Sequence, residues 1–226
     1  MSDPQADRTL PGDAALAAEG LEAAPHPDRA LVIACGALAR EILAVIRANR
    51  LDALDLVCLP ALLHNRPERI APAVQAKIAE AKAAGVQRIF VAYADCGTGG
   101  ALDRVCDAEG VARIEGPHCY AFFDGLGAFA ARAEVEIGAF YLTDFLTRQF
   151  DTLVWRGMGL DRHPELRDMY FAHYDRLVYL AQTEDPVLTA KARAAADRLG
   201  LAFERRFTGY GGLAEALAAA ATAAAG

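Results

Sequence analysis

The chain of 226 residues is 54% hydrophobic and 23% charged, enough apolar material for a packed core, which argues against a mainly disordered protein. Its formal net charge of -7 disfavours nucleic acid, whose phosphates need clustered Lys and Arg, and disfavours a polybasic membrane contact. No stretch approaches the roughly 18 apolar residues of a membrane-spanning helix, and the first residues lack a basic segment followed by an apolar one.

The expected compartment is therefore the cytoplasm, where thiols stay reduced. Five cysteines in that setting read as ligands, nucleophiles or core residues and not as disulfides.

Residues 1–28, rich in Ala, Asp, Glu and Pro, read as a flexible leader with a short helix over Asp13 to Ala24. Leu31 to Ala34 is the first strand. Cys35 and Gly36 follow it, and Leu38, Ile42, Leu43 and Ile46 then recur at helical spacing. Leu54 to Leu59 is the second strand, ended by Pro60. A polar loop carries His64, Arg66 and Arg69, and Pro67 suits the start of a helix whose buried face is Val74, Ile78 and Ala81.

The next stretch, RIFVAYADCGTGGA from Arg88 to Ala101, holds an apolar run from Ile89 to Tyr93. Asp95 and Cys96 stand at the end of that strand, and a glycine turn opens a helix running to Glu109. Val111 to Glu115 is a fourth strand, leading into Gly116-Pro117-His118-Cys119-Tyr120. Residues 121–175 are aromatic and helical in pattern and read as an insertion covering the mouth of the sheet. The α/β rhythm resumes with a strand at Leu177 to Ala181, a helix from Asp185 to Leu199 and a strand at Phe203 to Phe207. A glycine turn then opens a final alanine-rich helix. This alternation predicts an α/β fold: a mostly parallel sheet with helices on both faces, in Rossmann-like repeats. One domain is expected over residues 29–218, with the helical insertion inside it and an Ala-rich tail at 219–226.

In a parallel sheet the strand ends share one edge, and ligands bind there. Cys35, Cys96 and Cys119 each follow a predicted strand, so that edge would collect three thiols. They could hold zinc with His118 or water as fourth ligand, or a [4Fe–4S] cluster with one open iron. No pair has CxxC spacing. The plainer alternative is that they are small buried hydrophobes. A third is metal-free thiol chemistry, with Cys96 as a nucleophile at a helix N-terminus. Cys58 lies inside a strand and Cys106 inside a helix, and both read as packing residues.

Gly97, Thr98, Gly99 and Gly100 could offer backbone N–H groups to an anion, although neither GxGxxG nor a P-loop is present and a plain tight turn is the alternative. His64 and His118 are candidates for moving protons, and Arg66 and Arg69 for holding an anionic substrate. Asp95 is a candidate for positioning a substrate or orienting a histidine; capping is the commoner role of such a residue.

The segments LVIACGALARE, VAYADCGTGG and EGPHCYAFF together resemble the family carrying the domain of unknown function 1638, over about Ala30 to Leu217. The resemblance implies a metal or cluster site at the cysteine-bearing segments. Members of that family are often encoded beside corrinoid-dependent methyltransferases, which implies a corrinoid protein or methyltransferase as partner and a role in one-carbon metabolism. The cysteine arrangement also has an architectural likeness to quinolinate synthase, where three α/β units each give one cysteine to a [4Fe–4S] cluster.

The expected function is that of a cytoplasmic metalloprotein. Cys35, Cys96 and Cys119 hold a [4Fe–4S] cluster or zinc, and a small anionic or carbonyl-bearing substrate meets the open position. The alternative is a non-catalytic accessory protein that binds a corrinoid protein or a small metabolite.

Overall fold

The computed structural model describes residues 10–223; leader residues 1–9 and tail residues 224–226 lie outside the described residues. Two parallel sheets stand where the sequence pattern suggested one run of Rossmann-like repeats. The first has strand order β2-β1-β3-β4, formed by β1 (Ala30–Cys35), β2 (Leu54–Leu59), β3 (Ile89–Ala92) and β4 (Ala112–Arg113). All six residues of β1 are buried, as an inner strand of a parallel sheet requires, and its sequence is accordingly an unbroken apolar run. The linking helices are α2 (Ala39–Asn49), α3 (Ile70–Ala83) and α4 (Ala101–Glu109).

The fourth strand is shorter than expected, with two paired residues. Its chain nevertheless stays in step with β3 past the end of the strand. Ile114 N–H donates to Val91 O (3.0 Å), Asp95 N–H to Gly116 O (2.9 Å) and Cys96 N–H to Pro117 O (2.9 Å).

The expected flexible leader is instead part of the core over its described residues. Helix α1 (Asp13–Ala18) buries Leu16 and Ala17 completely. Leu21 forms an antiparallel bridge with Cys58, exchanging two backbone hydrogen bonds of 2.8 Å. Gly36 makes this seat possible: a Cβ there would stand 2.3 Å from Leu16 O. The Ala- and Asp-rich composition suggested looseness, but three apolar residues suffice to fill the space left for them.

The second sheet has order β5-β6-β7, formed by β5 (Ala139–Leu142), β6 (Arg176–Ala181) and β7 (Ala202–Phe207). Strand β5 lies within the segment expected to be a helical insertion. Four apolar residues are too few for periodicity to separate strand from helix, and pairing with β6 decides the matter. Around it lie α5 (Ala121–Asp124), α6 (Leu126–Arg132), α7 (Asp144–Arg148), α8 (Leu166–Tyr170) and α9 (Pro186–Leu199). Finally α10 (Leu213–Ala223), which includes residues read as tail, returns to pack on α2 and sends Leu213 and Leu217 into the first core.

A polar cluster is buried where α2 approaches α7. Glu41 is 5% exposed, and Glu41 Oε2, Thr147 Oγ1 and Arg148 Nη2 have no hydrogen-bond partner among the described residues. Desolvation pushes the Glu41 carboxyl from 4.5 up to about 7, against the opposing pull of Arg148 and Arg40 and with the Asp144 charge adding to the rise. Between those values the folded chain keeps a proton that the unfolded chain has lost, so stability falls as pH rises through that window. Glu41→Gln is therefore expected to stabilise the protein at pH 8 by up to about 3 kcal/mol and to change little at pH 4. Thermal melts at the two pH values check this, and a variant less stable than the parent at pH 8 contradicts it.

Candidate functional site

The carboxyl ends of β1 and β3 and the segment after β4 meet at an inner chamber of about 40 Å³, lined by Cys35, Cys96 and Cys119. That is room for a few waters or one ion. The sulfurs of Cys96 and Cys119 are 3.2 Å apart. Tyr93 lines the same chamber; its side chain is 2% exposed and its hydroxyl makes no hydrogen bond of normal geometry among the described residues. Burial raises its pKa first, and the charges of Cys35, Cys119 and Cys96, with the contact to the Cys35 thiol, raise it further.

Each thiol has its own electrostatic setting. Burial dominates at Cys35 and pushes its pKa up to about 11. Cys96 and Cys119 behave as a pair. A hydrogen bond from the Cys119 thiol, with backbone N–H groups, holds Cys96 below the ordinary thiol value. The same bond, with burial and the neighbouring sulfurs, holds Cys119 well above it. The first proton thus leaves the pair easily and the second with difficulty.

Cys96 owes its position to a strained backbone. Its φ of 47° is left-handed, and Arg50, at the C-cap of α2, is the other described non-glycine residue with positive φ. Such a conformation costs about 1–3 kcal/mol and persists where the surroundings enforce it. Here the carboxylate of Asp95 does so. It accepts from Thr98 Oγ1 (2.7 Å), Gly100 N–H (2.8 Å) and Gly99 N–H (3.2 Å). Those bonds, led by the one from Thr98, keep Asp95 below the usual carboxylate range.

Two expectations are corrected by this turn. Gly97, Thr98, Gly99 and Gly100 do not form an anion cradle, because the N–H groups of Gly99 and Gly100 are already spent on Asp95. Asp95 itself is a turn-forming cap that lines neither chamber; its oxygens are occupied in the loop, and it acts on His118 through its charge and not through a hydrogen bond.

An outer chamber of about 230 Å³ adjoins the inner one, and His64, Tyr120, Leu146 and Leu153 border both. His64 stands at the mouth with an exposed edge, and His118 lines the outer space only. Desolvation lowers the pKa of both; at His118 the nearby His64 lowers it further while Asp95 opposes. His118 stacks on Tyr120 (4.9 Å) and Tyr120 on Tyr141 (5.0 Å), forming a continuous ring wall. Arg66 and Arg69, read as anion holders, line neither chamber. Cys58 is buried within β2 and Cys106 within α4, and neither lines a chamber.

The second sheet closes the site. At the end of β5, Thr143 caps α7 and lines the inner chamber. A π-helical turn at Phe150–Trp155 supplies Leu153 and Val154. Asn65 Nδ2 donates to Leu153 O (3.0 Å) across the mouth, and a Cβ on Gly157 would stand 2.1 Å from that same carbonyl. Among the described residues, no group of three or more His, Cys, Asp or Glu side chains stands in metal-holding geometry as it is.

The family model for the protein of unknown function DUF1638 matches residues 58–217, which is most of the chain and includes Cys96 and Cys119. The chain belongs to the DUF1638 family. No curated protein and no solved structure matches it. Within this DUF1638 protein the matched region begins beyond Cys35, so the β1 thiol joins the site from outside it.

Sequence reasoning placed Tyr93 in the core as an ordinary β-former and passed over Thr143 altogether. The signal at Tyr93 was a polar-tipped ring at the end of an otherwise apolar strand. At Thr143 it was a capping residue directly after a short strand that itself went unread.

The thiol pairing has a spectroscopic consequence. Thiolate absorbance titrated against pH should show one cysteine ionising below the ordinary thiol value. Cys119→Ala should move that step upward, because the variant loses the donor that favours the Cys96 thiolate. An unchanged midpoint in the variant would refute the pairing.

Proposed function

We propose that this DUF1638 protein is a metalloprotein that binds one thiophilic divalent cation, zinc in the simplest case, through Cys35, Cys96 and Cys119. The observation that carries this reading is the approach of the Cys96 and Cys119 sulfurs beside the buried Tyr93 phenol, in a chamber that Cys35 also lines. Zn–S bonds of about 2.3 Å set neighbouring sulfurs of a tetrahedral site about 3.8 Å apart, so the pair needs only a small opening. An iron–sulfur cluster requires a wider spread of its ligands, and the separation favours a single ion over it.

Zinc bound by three protein ligands supplies a Lewis acid with one position left for water or substrate. The chain's own residues prepare that position. The walls of the second sheet restrict water. The Tyr93 hydroxyl offers a hydrogen bond inside the chamber, and His64, uncharged at neutral pH and bordering both spaces, is placed to accept a proton.

Protein produced with zinc supplied, and a parallel anaerobic preparation with iron, should both be analysed for metal and sulfide. About one zinc per chain without sulfide is expected. Cys96→Ser and Cys119→Ser should each weaken retention at least about 100-fold, beyond what loss of an outer-shell partner costs. Cys58→Ala and Cys106→Ala should leave it unchanged. Iron with matching sulfide, or no metal in either preparation, would overturn the reading.

A further inference from the structure

We infer that the outer chamber is the seat of the ligand presented to the thiol site, and that it accepts a small molecule with no net charge. The inference rests on the metal-site reading for what the ligand meets, and on the outer wall for what the ligand is.

Among the described residues, no Lys, Arg, Asp or Glu lines either chamber. The polar groups on the outer wall include the imidazoles of His64 and His118 and the phenol of Tyr120. Phe140, Met158 and Val154 supply apolar surface. The charges closest to this wall are consumed elsewhere. Tyr141 donates its hydroxyl to Glu136 (2.5 Å), and Glu136 is matched by Arg206 (2.6 Å), so the Tyr141 ring is left to the chamber.

An ion entering such a space gives up hydration and finds no counter-charge, which opposes its entry. Three thiolates around one divalent cation carry a net charge of about -1 and oppose an anion further. The expected anionic substrate therefore finds no partner here. The space of about 230 Å³ is also below the roughly 300–1,000 Å³ typical of drug-sized ligands, which fixes the occupant as small.

Benzyl alcohol, benzoate and benzylammonium share one ring and nearly one size and differ in charge. Titration calorimetry of the full chain at pH 7.5, with zinc content measured on the same samples and on metal-stripped protein, separates them. Benzyl alcohol should bind at least tenfold more tightly than either ion. Met158→Lys, which adds a cation to a half-buried wall position, should turn the preference toward benzoate; Tyr174→Lys, at the more exposed rim, should do the same if the first variant folds poorly. An ion that binds as tightly as the alcohol, or no binding by any of the three, overturns the inference. Preference for the alcohol in protein that was produced with zinc supplied, was never stripped and yet holds none would instead sink the metal reading and leave this one standing.

Discussion

The site depends on one short ladder. Past the last paired residues of β3 and β4, two further backbone hydrogen bonds tie Asp95 to Gly116 and Cys96 to Pro117. They hold the two loops side by side, one rung falling on Cys96 itself and Cys119 following two residues after Pro117. Cys96 must then turn sharply, and its left-handed backbone is tolerated because Asp95 gathers the following N–H groups into a closed turn. Removing that carboxylate would orphan two glycine N–H groups and release the strain together. The 3.2 Å separation of the sulfurs is thus a property of backbone geometry more than of the thiols themselves.

The second half of the chain makes the sulfurs a chamber instead of an exposed pair. Its geometry is set by Asp144, buried under β6, which accepts from Tyr179 (2.7 Å), from Gln182 N–H (3.0 Å) and from Thr183 (2.5 Å). A buried carboxylate with that many donors is stable where an unpaired one would not be. It fixes the β5–α7 turn and with it Thr143 and Leu146 on the chamber wall. A second network, Asp124 and Glu136 with Arg132 and Arg206, joins α5, α6 and β7 and steadies Tyr141. Both carboxylates are nearly buried, which sets this cluster apart from the exposed pairs elsewhere that contribute little.

How much of this was legible follows from which signals are local. β1 and β6 announce themselves because each carries an unbroken apolar run, and β2 because Asp55 is its one polar residue. The convergence of Cys35, Cys96 and Cys119 was foreseeable from strand ends in a parallel sheet, since all three belong to the first sheet. The division into two sheets was not, because β5 is four residues long and its identity is settled by pairing with β6, a partner some thirty residues away. The leader misled for a related reason. Leu16 and Leu21 look incidental in an Ala-rich stretch until Gly20 and Gly36 let the backbone approach β2 and the turn after β1. The role of Asp95 was ambiguous for chemical reasons: a carboxylate beside a cysteine and a carboxylate capping a glycine turn have the same sequence.

The electrostatics of the pair bear on what the chamber can select. Cys96 gives up its proton before Cys119, which keeps its own as the donor of the shared hydrogen bond, so the pair does not carry two negative charges together in its dry surroundings. On the proposed reading, a divalent cation must displace the remaining protons, and its affinity then rises with pH as theirs falls. A hard cation gains little from neutral sulfur and would lose its hydration in a space without carboxylates. A soft one gains strong bonds to thiolate and repays the desolvation. Protonation of the pair therefore works as a filter: the same burial that makes Cys35 and Cys119 reluctant to ionise excludes ions that cannot bind sulfur tightly, without any residue dedicated to rejecting them.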